Sequence, residues 1–362
     1  MRIFSAMSGT STDGISYVIF DIDKEFKFNI IKNGHKSYSK KIKTKLLNIA
    51  ESRIVDKVEI AKLHWELGKI LKDIYEKESI SCDLGVFSGH TIYHDGPRRI
   101  TLQIGDVTLL NYSSKIPVVT DLRYSDIAAG NQGAPLVPFA DSIIYGKDKI
   151  ILNIGGISNI TVTGDRPYGF DSGPGNMLLD QAMRFFYRRD MDFKGELSLK
   201  GEILEDLIKI LSKDNFISKK PPKSTGRERY GREFFEKIIE YSKRENPDKK
   251  DIIATLAYFT SYSIYKNIVN FIGNWKNMEI ICAGGGCKNK GIIERLEILL
   301  NKKIIMSDNL GVPWDARESL AFGIIAYLSL LMELGIDNKG ILAYPYGKIT
   351  IASMEKSILQ LK

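Results

Sequence analysis

The chain opens with two strand-like runs joined by a loop of small polar residues. Apolar segments over Ile3–Met7 and Ile15–Ile22 flank the sequence SGTSTDG. Their β-branched and aromatic residues favour strands. Glycine lets backbone amides approach an anion closely, and serine and threonine add hydroxyl donors. The loop is therefore either an ordinary hairpin turn or a cradle for phosphate oxygens.

Two further glycine-rich loops follow predicted strands. One lies in KIILNIGGISNITVTG (149–164) and the other in MEIICAGGGCKNKGIIERL (278–296). Helical spacing of apolar residues predicts helices within 41–79 and over most of the second half, including 251–272 and 317–334. The sequence contains neither a P-loop nor a dinucleotide fingerprint. Three glycine-rich loops at strand ends favour a nucleotide site in an α/β protein, and the two similar halves suggest a duplication.

Composition limits the alternatives. The chain has 362 residues, 43% of them hydrophobic, which is enough for one large or two ordinary domains. Its net charge of +8 is spread among acidic neighbours, so we expect no nucleic-acid partner.

The longest apolar run, Leu320–Leu334, is too short to span a bilayer and predicts a buried helix. Three cysteines without metal-ligand spacing, and an N-terminus without a signal-peptide pattern, predict a reduced cytoplasmic protein.

Ordered motifs run along nearly the whole chain. They are MSGTSTDGIS, TLQIGD, DLRYSDIAAGNQGAPLVPFAD, LNIGGISNIT, GFDSGPGN, PKSTGRE, DIIATLAYFTSYSI, AGGGCKNKGIIERL and WDARESLAFGIIAYL. Two hairpin loops and a glycine-rich third loop resemble the phosphate clamp of the actin, hexokinase and Hsp70 ATPase superfamily. The motifs together resemble the anhydro-N-acetylmuramic acid kinase family.

The resemblance implies a two-lobed, ribonuclease H-like α/β fold with duplicated mixed sheets, flanking helices and ATP between the lobes. We expect one lobe to comprise 1–135 with about 341–362, and the other 136–340. The resemblance also implies ATP and Mg²⁺, a small amino sugar substrate and a possible homodimer. In the implied reaction, water opens the 1,6-anhydro ring and O6 receives the γ-phosphoryl group, giving N-acetylmuramic acid 6-phosphate during peptidoglycan recycling.

The same resemblance assigns the nucleotide site. Gly9 to Ser16 match the ATP-binding stretch of the family, and Asp13 is the candidate magnesium ligand. The assigned residues come from the three loops and from GFDSGPGN: Gly9, Thr10, Ser11, Thr12, Asp13, Gly14, Ile15, Ser16, Gly155, Gly156, Gly173, Gly175, Asn176, Gly284, Gly285, Gly286 and Asn289.

Two acids match the catalytic positions of the family. Asp171 in GFDSGPGN is the candidate base, and its alternative is an N-cap for a helix beginning near Gly175. Glu318 matches an acid that contacts the sugar. A glutamate in a first helical turn is also favoured by the helix dipole, which is the structural alternative.

The predicted sugar contacts are His90, Thr91, Gln103, Gly105, Arg123 and Asp126. Arg123 is suited to the lactyl carboxylate because a guanidinium binds a carboxylate through two hydrogen bonds. A surface salt bridge is the alternative role for this arginine.

One block departs from the family pattern, which is Ser-His-Gly-Gln-Thr. Here the sequence is FSGHT, with Ser88 in place of histidine and His90 in place of glutamine. His90 either makes the hydrogen bonds of the amide, recognises a modified ligand, or is structural. A kinase for another anhydro sugar or hexose, and a sensor ATPase without sugar turnover, remain alternatives. PKSTGRE either helps to close the site or acts as scaffold.

Overall fold

The structure is a computed structural model that describes residues 1–9, 11–52, 54–335 and 345–350. Its strands are β1 (Arg2–Ser8), β2 (Gly14–Ile22), β3 (Phe28–Ser37), β4 (Leu84–Asp95), β5 (Ile100–Ile104), β6 (Val118–Thr120), β7 (Lys149–Ile154), β8 (Ile157–Val162), β9 (Tyr168–Pro174), β10 (Glu279–Ala283), β11 (Ile304–Met306) and β12 (Lys348–Thr350).

The α-helices lie mainly between these strands, and short 3-10 or π turns accompany several of them. They are α1 (Lys40–Glu51), α2 (Lys57–Glu78), α3 (Thr108–Ser114), α4 (Leu122–Ala128), α5 (Pro138–Tyr145), α6 (Met177–Ala182), α7 (Glu205–Leu211), α8 (Asn215–Ser218), α9 (Arg227–Tyr230), α10 (Arg232–Glu245), α11 (Lys249–Phe271), α12 (Lys290–Leu300) and α13 (Arg317–Glu333).

The chain forms two compact units. The first comprises the described residues of Met1–Ile144 and Asp315–Lys362, and the second comprises Tyr145–Trp314. These bounds differ from the expected division into 1–135 with about 341–362 and 136–340. The main difference is α13, which packs on β1, β2 and β4 of the first unit. Of the expected C-terminal return, β12 pairs with β6, whereas 341–344 and 351–362 lie outside the described residues.

Each unit contains one mixed sheet. The first has the order β12-β6-β4-β1-β2-β3, with β5 paired to β4, and the second has the order β11-β10-β7-β8-β9. In each sheet three antiparallel strands form a meander, and two later strands run parallel to the first strand. Both sheets therefore share the order 3-2-1-4-5. This repeated order is the duplicated, ribonuclease H-like α/β architecture expected from the sequence.

Separate apolar cores hold the sheets to their helices. In the first unit, Phe4 and Phe87 of the sheet pack in one cluster with Leu67 of α2. In the second, Leu152 of β7 belongs to a larger cluster that includes Phe259 of α11. Burial of these apolar side chains determines which face of each helix covers its sheet.

The predicted buried helix at Leu320–Leu334 is α13, and it approaches β1 and β2 closely. A Cβ atom added to Gly323 would lie 2.6 Å from the ring of Phe20, so a larger side chain has no room there. The hydroxyl of Ser5 donates a hydrogen bond of 2.6 Å to the carbonyl oxygen of Ser319. In turn, the hydroxyl of Ser319 donates to the carbonyl oxygen of Ser16 at 3.0 Å. Close backbone approach and these two bonds place the start of α13 beside the strands that flank the first loop.

A buried ion pair joins α5 to the first turn of α13. Arg317 Nε donates to Asp141 Oδ1 at 3.0 Å, and Nη2 donates to the second carboxylate oxygen. The side chains are 1% and 0% exposed. The two hydrogen bonds between guanidinium and carboxylate offset part of the free-energy cost of burying both charges.

We predict that Asp141→Asn destabilises the protein strongly, because it leaves the Arg317 guanidinium buried without its carboxylate. The expected loss is about 3–5 kcal/mol in the free energy of unfolding. Urea unfolding followed by circular dichroism measures it. Glu25→Gln is the matched control, since Glu25 and Lys27 form an ion pair whose side chains are 69% and 77% exposed. Equal stability of the two variants would contradict the role given to the buried pair.

Candidate active site

The first glycine-rich loop connects β1 to β2 in the first unit. The N–H of Thr12 donates to the carbonyl oxygen of Gly9 at 3.1 Å, and Thr12 is buried with a φ of 55°. The exposed side chains of Ser11 and Asp13 are linked by a hydrogen bond of 2.7 Å from hydroxyl to carboxylate. Thr12 therefore stabilises the turn, while Ser11 and Asp13 are exposed polar residues whose contact with a nucleotide stays a prediction. Thr10 lies outside the described residues.

The other residues assigned to this loop are held by the sheet. A Cβ atom on Gly14 would lie 2.2 Å from the carbonyl oxygen of Lys36, so the close pairing of β2 with β3 requires glycine. Ile15 is fully buried in the core. The hydroxyl oxygen of Ser16 lies 3.0 Å from His35 Nδ1. Through these contacts, Gly14, Ile15 and Ser16 hold the end of the first loop against the sheet and the core.

His90 lies against the base of the first loop. It pairs with Ser8 in the register of β4 with β1, and its Nδ1 is 2.8 Å from the hydroxyl oxygen of Ser8. The hydroxyl of Tyr38 is 2.6 Å from the same oxygen. Burial lowers the pKa of His90 to about 4, an effect that the nearby Asp13 carboxylate partly opposes. His90 is therefore a neutral imidazole in a buried network beneath the loop.

Thr91 and Gln103 face each other across β4 and β5. Gln103 Nε2 donates to the hydroxyl oxygens of Thr101 at 2.7 Å and of Thr91 at 3.3 Å. Gln103 Oε1 is buried and has no hydrogen-bond partner within the described residues. The neighbouring Gly105 is structural, because its φ is 126° and a Cβ atom would lie 2.3 Å from the ring of Phe87.

An open groove lies beside Gln103 in the first unit. Its volume is about 460 Å³, and it is lined by Leu102, Gln103, Asp121, Tyr124, Ser125, Gly347 and Lys348. Gln103 is the one of the predicted sugar contacts that lines this groove, and its contact with a sugar stays a prediction.

Arg123 and Asp126 converge on the turn before α5. Arg123 Nη1 donates to the carbonyl oxygen of Gly133 at 2.7 Å. The N–H of Gly133 donates to Asp126 Oδ2 at 2.6 Å, and Asp126 is buried. Both side chains therefore shape this turn, and a sugar contact by either one stays a prediction.

Glu318 lies in the first turn of α13, as predicted. Its neighbours Arg317 and Ser319 are buried, while Glu318 is half-buried. Among the residues that the structure describes, none binds its carboxylate through a hydrogen bond or an ion pair. The acid is thus available to a ligand, in contrast to the buried Asp141.

The second glycine-rich loop lies in the second unit and packs against the start of α6. The carbonyl oxygen of Gly155 accepts from the N–H of Asn176 at 2.8 Å, and that of Gly156 accepts from Gly175 at 2.9 Å. A Cβ atom on Gly175 would lie 2.3 Å from the carbonyl oxygen of Gly155. Gly173, at the end of β9, has a φ of 144°. The β7–β8 hairpin and the GPGN segment therefore form one hydrogen-bonded structure in which glycine is needed for close approach.

Asp171 lies within β9, in the same unit as the second loop. Its N–H donates to the carbonyl oxygen of Lys223 at 3.1 Å, and its Oδ2 accepts from the N–H of Thr225 at 2.8 Å. The N-cap position of α6 belongs to Asn176, so the alternative role of Asp171 as that cap is wrong. The PKSTGRE segment, whose role the sequence left open, is thus a direct neighbour of the candidate base.

Side chains of α11 hold the end of β9, a role that the sequence motifs did not indicate. The hydroxyl of Ser263 and the amide of Asn267 donate to the carbonyl oxygen of Ser172 at 2.6 and 2.9 Å. The hydroxyl of Thr260 donates to the carbonyl oxygen of Gly175 at 2.8 Å. The available signal was the run of hydroxyl residues within the apolar helix DIIATLAYFTSYSI.

The third glycine-rich loop follows β10. Gly284 has a φ of 83°, and a Cβ atom on Gly286 would lie 2.2 Å from Ile154. Gly285 is exposed. Asn289 is buried as the N-cap of α12, and its side-chain oxygen also accepts from the hydroxyl of Ser198. The backbone of Gly285 is thus exposed, and its contact with a nucleotide stays a prediction, whereas the side chain of Asn289 caps α12 inside the protein.

Comparisons with known proteins agree with these motifs. The family described as anhydro-N-acetylmuramic acid kinase matches residues 1–335. A protein of Clostridioides difficile (strain 630) with that name is 35% identical, over 93% of this chain and 96% of its own. A namesake from Bacillus anthracis is 33% identical, over 90% of this chain and 92% of its own.

The chain belongs to the anhydro-N-acetylmuramic acid kinase family. The family assignment made from the motifs is confirmed, and with it the expectation of an ATP-using enzyme with a small-molecule substrate. Among solved structures, the activator of the 2-hydroxyisocaproyl-CoA dehydratase from Clostridium difficile with bound ADPNP has a TM-score of 0.49 and 14% identity, covering 90% of this chain and 94% of that one. The fold assignment rests on the repeated strand order instead.

We predict that part of the protein's acid sensitivity comes from His90. The folded chain keeps the imidazole uncharged because burial lowers its pKa to about 4, whereas an unfolded chain protonates it near 6.5. Because the unfolded state binds the proton more tightly than the folded state, the free energy of unfolding falls as the pH drops from about 6.5 towards 4. His90→Gln should remove on the order of 2 kcal/mol of the stability lost between about pH 7.5 and about pH 5.

Urea unfolding at the two pH values measures this difference. The exposed His35→Gln is the matched control, and it should keep the pH dependence of the wild type. An unchanged pH dependence in His90→Gln would show that His90 is not held neutral in the folded protein.

Proposed function

We propose that this protein phosphorylates 1,6-anhydro-N-acetylmuramic acid at O6 with hydrolysis of the anhydro ring, giving N-acetylmuramic acid 6-phosphate. The observation that carries the proposal is the half-buried carboxylate of Asp171, held by the PKSTGRE segment in a chain of this family. Family membership favours this reaction over a hexose kinase or a sensor ATPase. In peptidoglycan recycling, such an activity returns a cell-wall fragment to amino sugar metabolism.

The chemistry requires a base and an acceptor oxygen that becomes free as the ring opens. Water oxygen bonds to C1, the C1–O6 bond breaks, and O6 takes the γ-phosphoryl group while ADP leaves. Asp171 accepts the proton of the attacking water. Its backbone and Oδ2 hydrogen bonds support this role, because they fix the carboxylate's orientation before a substrate arrives.

The phosphates of ATP would be bound by neutral donors of the glycine-rich loops. Ser11 contributes an exposed hydroxyl. Backbone N–H groups would come from Gly156 and Gly285, while Gly155 shapes the second loop through the hydrogen bond from its N–H to the carbonyl oxygen of Ile157 at 3.2 Å. Asp13 fits a hydrated Mg²⁺ ion, because it is an exposed carboxylate on the same loop as Ser11, and this cation usually takes one or two carboxylates together with phosphates. When bound, the ion would neutralise phosphate charge.

Sugar recognition would use Gln103 and Glu318. Gln103 offers a buried amide oxygen without a partner in the described part of the chain, and Glu318 offers an available carboxylate. His90 replaces the family's glutamine but is bound to Ser8 beneath the first loop, which favours an influence on that loop over a separate sugar subsite. The surroundings of the sugar would be shaped by the remaining predicted contacts, Thr91, Arg123 and Asp126.

The cellular setting is also part of the proposal. The three cysteines, Cys82, Cys282 and Cys287, are buried thiols outside any disulfide, which suits a reducing cytoplasm. None of the helices in the described part of the chain combines the length and the apolar character needed to cross a membrane. A homodimer is proposed from family resemblance, and light scattering after gel filtration tests it.

Turnover in oxygen-18 water tests the reaction. With ATP, Mg²⁺ and 1,6-anhydro-N-acetylmuramic acid, we expect mass spectrometry to find one label at the anomeric carbon of a 6-phosphorylated product. Unlabelled phosphorylated product would indicate simple hydroxyl transfer to another acceptor. Loss of ATP that does not depend on the sugar would favour the sensor ATPase.

Asp171→Asn tests the base. We expect this variant to fold and to bind ATP, but to lower kcat by about a hundredfold or more because the amide cannot take the proton. Asp165→Asn is the control, since Asp165 is an exposed carboxylate in the same unit, on the turn before β9. Turnover of Asp171→Asn within a few-fold of the wild type would exclude Asp171 as the base.

A further inference from the structure

Lys223, in the PKSTGRE segment, is a buried lysine. It is 6% exposed, and its Nζ donates to the carbonyl oxygens of Phe216 and Ile217 at 2.9 and 3.1 Å. The same nitrogen lies 4.8 Å from the ring centre of Phe216 and 5.2 Å from that of Phe271. A lysine is rarely placed in such a position unless its charge or its hydrogen bonds are needed.

The backbone next to Lys223 runs alongside Asp171. The carbonyl oxygen of Lys223 accepts from the N–H of Asp171, and the N–H of Thr225 donates to Asp171 Oδ2. One short segment therefore holds both the main chain and the carboxylate of the candidate base.

The site that receives the ammonium group is itself anchored. Asp214 caps the short helix α8 by accepting from the N–H of Phe216 at 3.2 Å. Its second oxygen accepts from the hydroxyl of Tyr230 at 2.6 Å, and its first also pairs with Arg229. These bonds hold the carbonyl oxygens of α8 towards Lys223.

The charged groups that act on Lys223 come from several elements. Burial lowers its pKa to about 8, the carboxylates of Asp171 and Asp214 oppose that effect, and Lys219 adds to it. Asp171 on β9 and the Lys223 ammonium thus stabilise each other's charged forms, beside aromatic rings that exclude water.

We propose that Lys223 is the positioning residue for Asp171. Its ammonium group, bound to the carbonyl oxygens of α8, fixes the 223–225 segment so that Thr225 orients the carboxylate, and its positive charge keeps that carboxylate ionised for proton transfer. This inference rests on the proposed role of Asp171 as the base. It assigns a function to a motif that the resemblance alone did not explain.

The test compares four variants with the wild type by steady-state kinetics across the pH range. Lys223→Met removes the charge and the donors, Lys223→Gln removes the charge but keeps a donor, and Lys223→Arg keeps the charge. Lys220→Met is the matched control, because Lys220 is an exposed cation just before the same segment. Thermal melting verifies that each variant is folded at the assay temperature.

We expect Lys223→Met and Lys223→Gln to lower kcat by about tenfold to a hundredfold, with KM for ATP and sugar changed less than about threefold. The acid limb of their pH–rate profiles should move to higher pH, because the carboxylate has lost a neighbouring positive charge. Lys223→Arg should keep the wild-type acid limb, and Lys220→Met should match the wild type throughout.

The opposite results would overturn the inference. Wild-type kcat and an unmoved acid limb in folded Lys223→Met or Lys223→Gln would exclude positioning by charge. If neither of these variants folds, Lys223→Arg gives the test. A displaced acid limb in Lys223→Arg would exclude positioning by charge, and an unmoved acid limb in that variant would support it. If Asp171→Asn is slow but Lys223→Gln is fully active, only the positioning role of Lys223 is refuted. If Asp171→Asn is active, the proposed role of Asp171 as the base is refuted.

Discussion

The backbone of an edge strand sets the geometry of the second unit. β9 is the last strand of its sheet, so its outer backbone groups meet no neighbouring strand in the described part of the chain. Ser263 and Asn267 of α11 donate to Ser172 on this strand, and Thr260 donates to Gly175 just beyond it. A buried carbonyl left without a donor costs about 1–3 kcal/mol, so these polar side chains are well placed inside an apolar helix. They fix the backbone of the turn that follows the candidate base.

The same arrangement explains why glycine and small polar residues gather at this end of the sheet. A Cβ atom on Gly173 would lie 2.2 Å from the hydroxyl of Ser263. Gly175 needs equally close contact with Gly155. The carboxylate of Asp171 is then held by the 223–225 segment. Rigid backbone on one side and a bound carboxylate on the other suit a base that must be oriented before its substrate binds.

Several features could be predicted from the sequence because they depend on local pattern. Strand and loop positions follow from β-branched runs that end in glycine, and the helices at 251–272 and 317–334 follow from long apolar stretches. Burial of Lys223 and the pair of Arg317 with Asp141 could not be predicted in this way. Their partners lie on other elements, and a charged residue in a motif looks the same whether it meets solvent or a buried carbonyl.

Short stretches of the chain were enough to establish the family, the repeated strand–loop–strand pattern and the residue types of each glycine-rich loop, because their backbone preferences are local. Packing settled that α13 belongs with the first sheet, that Asn289 caps a helix, and that Lys223 lies beside Asp171. Burial and hydrogen-bond satisfaction are properties of the packed chain, since they depend on which distant residues exclude water from each group.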